Sequence, residues 1–232
     1  MSAYVLVHGA GMGGDCWDRL SPLLDGDVVA VDLPGRGSRS DVDVATVSLA
    51  DCAAALEDEI VSRDLRDVVL VAHSFAGVTV PRVMESLAGR LRHVVFLSAV
   101  VPEDGTAVID QIDPAVRDAV MESIEDGVYH QTPEGVRFML CNDMTPEQTE
   151  WTLGLVSDES AALLMEPVDL SGLGAGVPRT YVRLSEDACY PPELQERSAH
   201  RVGGNVAHIA SGHMAMVTRA DEVAALLGQL GR

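Results

Sequence analysis

The chain has 232 residues and carries 36 acidic against 16 basic side chains, a formal net charge of −20, with no lysine at all. So acidic a surface repels phosphate backbones and anionic lipid heads, which excludes nucleic acid and membrane surfaces as expected partners. No apolar run approaches the ~20 residues that a transmembrane helix requires. The N-terminus enters an apolar strand at once, without a charged leader and cleavage site, so a cytoplasmic location is expected. The length suits one domain with an insertion, and a 47% hydrophobic composition with mean hydropathy +0.14 suits a well-filled core. Cys16, Cys52, Cys141 and Cys189 show no C-x-x-C spacing and read as reduced, mostly core thiols. No histidine–carboxylate pair has metal-ligand spacing on one helix, so neither a metal nor an organic cofactor is expected.

In chain order, Tyr4–Val7 is a continuous apolar run of the kind a buried parallel strand shows. The glycine-rich loop His8–Gly14 follows, and then a helix is expected from about Asp15 through Leu24. Val28–Val31 is a second strand, leading into the turn-rich segment Asp32–Ser38. Ser48 caps a helix with Leu49, Cys52, Ala53, Leu56 and Ile60 on its apolar face. Val68–Ala72 is a third strand, followed at once by His73-Ser74-Phe75-Ala76-Gly77 and an amphipathic run through Leu87. Val94–Leu97 is the fourth. Strands alternating with helices at this spacing predict a parallel sheet covered on both faces.

From about Pro102 to Gly176 the alternation stops, and helical patterns follow one another with no strand expected between them. Asp113-Pro114, Thr132-Pro133 and Thr145-Pro146 each pair a capping residue with a first-turn proline, a helix-start signal. The division expected is a core of residues 1–101 and 177–232 with a helical cap, 102–176, inserted after the fourth strand and placed over the carboxyl ends of the sheet, where such sheets bind ligands. Phe138, Trp151, Leu155 and Met165 are candidates for its apolar pocket wall. Strands at Thr180–Leu184 and Val206–Ala210, a helix near 192–200 and a final helix near 218–230 complete a six-stranded sheet.

The chemistry centres on residues 68–77. A strand, a sharp turn and a helix with a serine at the apex form a nucleophile elbow, which stands the hydroxyl above the sheet. The turn demands very small residues two before and two after the serine, and Ala72 and Ala76 occupy those places instead of the usual glycines. A serine hydroxyl needs a base, and the base an orienting acid. His213 lies just past the last strand, and Asp187 just past the one before it, in the order Ser, acid, His. Glu186, adjacent, stays open as the acid, with Asp187 preferred. Backbone N–H groups of Phe75, after the nucleophile, and Ala10, in the glycine-rich loop, are the candidate oxyanion donors. The same loop also fits a rival: Gly9, Gly11 and Gly14 match G-x-G-x-x-G, with Asp32 at the end of the second strand, a dinucleotide-binding pattern of an oxidoreductase. It leaves Ser74, Asp187 and His213 unexplained, and without lysine a Tyr-x-x-x-Lys hydride-transfer pair is impossible.

Together, Val5-Leu6-Val7-His8-Gly9-Ala10 with Trp17, Asp32-Leu33-Pro34-Gly35-Arg36-Gly37, His73-Ser74-Phe75-Ala76-Gly77 and Ser211-Gly212-His213-Met214 resemble the α/β-hydrolase superfamily, in its small esterase/hydroxynitrile-lyase branch of plant methylesterases and bacterial relatives. The resemblance implies the α/β-hydrolase fold, hydrolysis of a small carboxylic ester, Ser74, Asp187 and His213 as a triad, Ala10 and Phe75 as oxyanion donors, and a possible homodimer. Thioesterase, cyclase and hydroxynitrile-lyase chemistry run on the same triad. In the branch's lyases a lysine follows the catalytic histidine and a threonine stands in the oxyanion loop. Here those positions hold Met214 and Gly9, which favours an esterase and adds both to the candidate pocket. The arginine-only, alanine- and valine-rich composition suggests a bacterial source.

Overall fold

The computed structural model describes residues 2–232. The core is a six-stranded, all-parallel sheet in the order β2-β1-β3-β4-β8-β9, formed by β1 (Ala3–Val7), β2 (Asp27–Val31), β3 (Val68–His73), β4 (Leu91–Leu97), β8 (Arg179–Leu184) and β9 (Asn205–Ile209). Between β4 and β8 lie β5 (Ile124–Glu125), β6 (Val128–Tyr129) and β7 (Glu159–Ser160). The central strands are apolar on both sides because both faces are covered: every residue of β1 and β3 is buried. Two apolar clusters fill those faces. One gathers Val5, Leu70 and Phe96 with α1 (Leu49–Ser62), and the other gathers Leu6, Val69 and Val71 with Trp17 and the C-terminal helix.

Strand order reverses between β1 and β3. The loops leaving these two strands therefore diverge and open a crevice at their carboxyl ends. Into that crevice project the loop after β1 and the turn after β3, with α2 (Ala76–Thr79) and α3 (Pro81–Met84) behind it. The helix after the elbow is split because Pro81 has no N–H to continue the ladder. The helix expected from Asp15 to Leu24 is instead two short 3₁₀ turns, Gly14–Trp17 and Ser21–Leu23, with Pro22 in the second. Ser48 caps α1 as expected, accepting from Asp51 N–H while the Asp51 carboxylate accepts from Ser48 N–H.

Past β4 come α4 (Pro114–Glu122), α5 (Pro133–Leu140), α6 (Pro146–Leu155) and α7 (Ala162–Met165). Thr132 and Thr145 accept from backbone N–H groups at the starts of α5 and α6, as their sequence signals predict. The expectation of a cap without strands fails. Three two-residue strands, β5 (Ile124–Glu125), β6 (Val128–Tyr129) and β7 (Glu159–Ser160), form a small antiparallel sheet. They are too short to show a period of two. The turn chemistry is present, however: Asp126 and Gly127, at φ of 47° and 83°, make the hairpin turn for which Asp-Gly is the strongest short signal. The chain closes with α8 (Pro192–Val202), α9 (Ala215–Thr218) and α10 (Ala220–Leu230).

Gly77, on α2, shows how closely the elbow packs. A Cβ there would lie 2.4 Å from Val100 O, whereas one on Gly89 would meet nothing within 4 Å. Gly77→Ala is expected to lower the unfolding free energy by about 1–3 kcal/mol in urea titration, through overpacking against backbone. Gly89→Ala should change it by less than about 0.5 kcal/mol.

Candidate active site

Ser74 sits at the apex between β3 and α2 with φ of 53°, a left-handed conformation that a non-glycine residue adopts only where its surroundings enforce it. Its N–H donates to Leu97 O, and its carbonyl accepts from Gly77 N–H (3.0 Å) and Val100 N–H (2.8 Å), so three backbone bonds hold the turn. Ala72 and Ala76 are both buried against it. From the other side Gly9 comes so near that a Cβ on it would lie 2.7 Å from the Ser74 Cβ and 3.2 Å from its Oγ.

The candidate acid and base follow β8 and β9, two and three strands away from β3. Asp187, past the end of β8, is buried and takes four donors. Ser98 Oγ (2.6 Å) donates to Oδ2, and Cys189 and Tyr190 N–H (2.8 Å each) donate to Oδ1. The fourth is His213 Nδ1, 2.7 Å from Oδ2. Burial alone would push the Asp187 pKa up, but His213 and these hydrogen bonds overcome it and hold the group as a carboxylate below its usual range. Glu186, the alternative acid, is exposed. His213 is buried as well, and burial disfavours its charged form. The Asp187 carboxylate and the Cys189 thiol outweigh that and raise its pKa well above the ordinary value.

Two further histidines frame the site as neutral groups. His73 Nε2 lies 3.0 Å from His213 O, its ring 4.7 Å from the His213 ring. Burial and the charge of His213 lower its pKa to about 3. His8 Nδ1 donates to Gly9 O (2.8 Å), and its Nε2 accepts from Leu33 N–H (3.2 Å), which fixes the neutral tautomer. Burial brings its pKa down to about 4.

Ser74 and His213 open on a cavity of about 530 Å³ that Gly9, Ala10 and Phe75 also line. Its walls are apolar, with Val108, Val120, Met139, Leu164 and Leu194 prominent among them, and no arginine is among the described residues that line it. Of the expected wall residues, Phe138 and Met214 are present, Phe138 on an exposed rim and Met214 wholly buried. Trp151, Leu155 and Met165 are not. Trp151 and Leu155 lie on α6, which packs against the Gly14–Trp17 turn, so both join the apolar cluster on that face of the sheet. There the Arg19 guanidinium covers the Trp151 ring at 5.1 Å. Met165 follows the cavity-lining Leu164 on α7 and, one helical step on, points to solvent.

Sequence reasoning missed the residues that brace this site. Ser98, at the end of β4, reaches Asp187 from the next strand. Asp143 Oδ2, between α5 and α6, accepts from Gly212 N–H (2.8 Å) and Thr218 Oγ (2.8 Å), fixing the His213 loop, and Asn142 Nδ2 donates to Glu186 O (2.7 Å). None carries a local signal, since each partner is more than forty residues away. The dinucleotide alternative fails on geometry. Asp32 is spent inside the protein on Gly14 N–H and on the N–H and hydroxyl of Ser38, and the loop opens a 3₁₀ turn rather than a helix whose N-terminus could receive a pyrophosphate.

The sequence profile of the alpha/beta hydrolase family matches residues 4–226. The chain belongs to that family. Its relatives there include enzymes named as synthases and enzymes named as esterases. It is 29% identical over 220 residues to methylesterase 1 of Arabidopsis thaliana, covering 83% of this chain and 81% of the relative. It is 26% identical over 243 residues to a carbendazim hydrolyzing esterase of a Nocardioides species, covering all of both chains. The fold of an extracellular alpha/beta-hydrolase from a Paenibacillus species superimposes with a TM-score of 0.89 over the whole of both chains at 22% identity. Among the described residues no helix is long and apolar enough to cross a membrane, and no cluster of side chains could hold a metal ion.

His8 and His73 make this site a source of acid lability. Both bind protons more weakly folded than unfolded, so their stabilisation is complete above the unfolded pKa near 6.5 and is withdrawn as pH falls toward their folded values of about 4 and about 3. His213 shifts the other way, and its contribution is constant below 6.5, so it does not offset the slope. Urea-derived unfolding free energy is expected to fall between pH 6.5 and 5 by roughly 1 kcal/mol per pH unit for each of the two histidines. A flat profile over that interval would contradict neutral burial of both.

Proposed function

We propose that this chain hydrolyses a small, uncharged carboxylic ester through an acyl-serine intermediate, with Ser74 as nucleophile, His213 as general base and then acid, and Asp187 as the orienting carboxylate. The observation that carries the reading is the convergence of an elbow serine and a carboxylate-bound histidine on one apolar cavity. His213 Nδ1, bonded to Asp187, keeps its proton, which leaves Nε2 free to take the proton of Ser74. Attack on the ester carbonyl builds negative charge on its oxygen, and the N–H groups of Ala10 and Phe75 serve as its donors. His213 then protonates the leaving alcohol, and a water molecule activated the same way releases the acid. No step calls on a cofactor.

The cavity supports the substrate class. An apolar lining with no arginine among its described residues gives an anionic group no counter-charge. The segment 102–176 serves as the cap that sets selectivity. Gly9 leaves the space that the ester carbonyl needs beside Ser74, and buried Met214 offers no charge to a departing cyanide, so hydrolysis is favoured over cyanohydrin cleavage.

Ser74→Ala is expected to lower kcat on p-nitrophenyl and methyl esters by on the order of 10⁴–10⁶ with the fold retained by circular dichroism. Activity within tenfold of wild type would refute the nucleophile. Asp187→Asn should cost on the order of 10³–10⁴ in kcat by favouring the wrong His213 tautomer, and exposed Glu186→Gln less than about tenfold. The reverse ranking would move the acid to Glu186. Because His213 must be neutral to act as base and its pKa is raised, kcat/KM should still be climbing above pH 7. A plateau already reached at pH 6 would contradict that.

A further inference from the structure

Within itself the loop that carries Ala10 makes only a long backbone bond, Met12 N–H to Gly9 O (3.4 Å), among the described residues. Its next residue, Gly11, is gripped on both polar atoms by the segment leading into β7. Gly11 N–H donates to Glu159 Oε2 (3.0 Å), and Gly11 O accepts from Ser157 N–H (2.8 Å). Gly11 has φ of +63°, and a Cβ on it would collide with Gln131 Nε2 and Ser157 O, so the contact leaves no slack. Glu159 is 1% exposed and could not remain ionised there alone. Its partner is Arg36, 3% exposed, which comes from the turn after β2, forms an ion pair with Oε1 and donates through Nη1 to Pro34 O (2.6 Å). Ser160 N–H also donates to Oε1 (2.7 Å), and Ser160 Oγ donates to Val47 O (2.6 Å), which anchors β7 to the core.

We infer that Glu159, held by Arg36, is a positioning residue that fixes the oxyanion loop through Gly11 N–H and so keeps the adjacent Ala10 N–H aimed where negative charge develops. The pairing also answers an electrostatic difficulty. Glu159 lines the same cavity as Ser74, and a bare carboxylate there would oppose the oxyanion. Arg36 cancels that charge while leaving Oε2 free to accept from Gly11. The arrangement spends a buried ion pair, a weak source of stability, on the geometry of a loop. A donor fixed before reaction acts on the transition state without reorganisation cost, so loosening it should appear in kcat rather than KM.

The inference rests on Ser74 as the nucleophile. Its test compares two double variants, because removing either charge alone strands the other. Arg36→Met with Glu159→Leu removes the ion pair and the Gly11 acceptor. Arg36→Met with Glu159→Gln removes the ion pair and keeps an amide oxygen for Gly11 N–H. At matched folded population, the leucine variant is expected to lose about 10–100-fold in kcat on p-nitrophenyl acetate, less than direct loss of an oxyanion donor, with KM within about threefold. The glutamine variant should recover to within about fivefold of wild type. Equal kcat in the two variants, or a loss confined to KM, would overturn the inference. A merely structural pair gives equal kcat because both variants lack it. An independent reading needs no variant: in the wild-type protein the Gly11 amide should exchange with solvent on the order of 10³-fold more slowly than an unstructured amide. Exchange at the unstructured rate would overturn the inference even if neither variant folds. Full activity in the leucine variant beside an inactive Ser74→Ala would refute the brace alone, whereas an active Ser74→Ala would refute the nucleophile.

Discussion

The site depends on one backbone constraint: a non-glycine residue held at φ of 53° at the top of a buried strand. A conformation of that kind costs on the order of 1–3 kcal/mol and lasts only where neighbours over-determine it. Here the neighbours are three backbone hydrogen bonds and a ring of small residues, Gly9, Ala72, Ala76 and Gly77. The strain lifts the Ser74 side chain off the sheet and into the crevice where strand order reverses. Asp187 and His213, past the ends of β8 and β9, meet beside it because parallel strands deliver all their carboxyl ends to one side. Alanine in both places where glycine is usual is compatible with this turn: both Ala72 and Ala76 are almost fully buried.

The segment over the crevice is tied to the core more firmly than a loose lid. Asn142 and Asp143 hold the backbone of the loops that carry Asp187 and His213, and Ser157 and Glu159 hold the loop that carries Ala10. Each tie is a hydrogen bond between a side chain or backbone amide of this segment and the backbone of a loop that carries a candidate catalytic group.

Much of the architecture was legible in the sequence because parallel strands and elbow turns have local signatures. Apolar runs marked the first four core strands, the resumed alternation marked the last two, which Arg183 and His208 interrupt, and small residues flanking Ser74 marked the turn. The chain-order rule put Asp187 and His213 just past the right strands. What stayed hidden has long-range causes. The β5–β7 sheet is built from two-residue strands whose third member lies some thirty residues away, and only Asp126-Gly127 announced it. Ser98, Asp143 and Glu159 look like ordinary polar residues until the fold brings their partners to them. Trp151 and Leu155 pack against an apolar cluster away from the cavity and Met165 stands exposed, because residue type does not say which side of a helix faces a cavity. The G-x-G-x-x-G match shows the converse hazard, since its glycines serve close approach to Ser74, to Gln131 and Ser157, and to Ala30.

The central claim is that the ester's acyl group passes through a covalent bond to Ser74. Rapid mixing of wild-type enzyme with p-nitrophenyl acetate, acid quenching during the first turnover and mass mapping of the digested chain tests it most directly. The account predicts a single acetyl group on the peptide containing Ser74, appearing with a burst of p-nitrophenol and disappearing as turnover ends. Acetyl on Cys189 or on a histidine instead, with Ser74 unmodified throughout turnover, would contradict it.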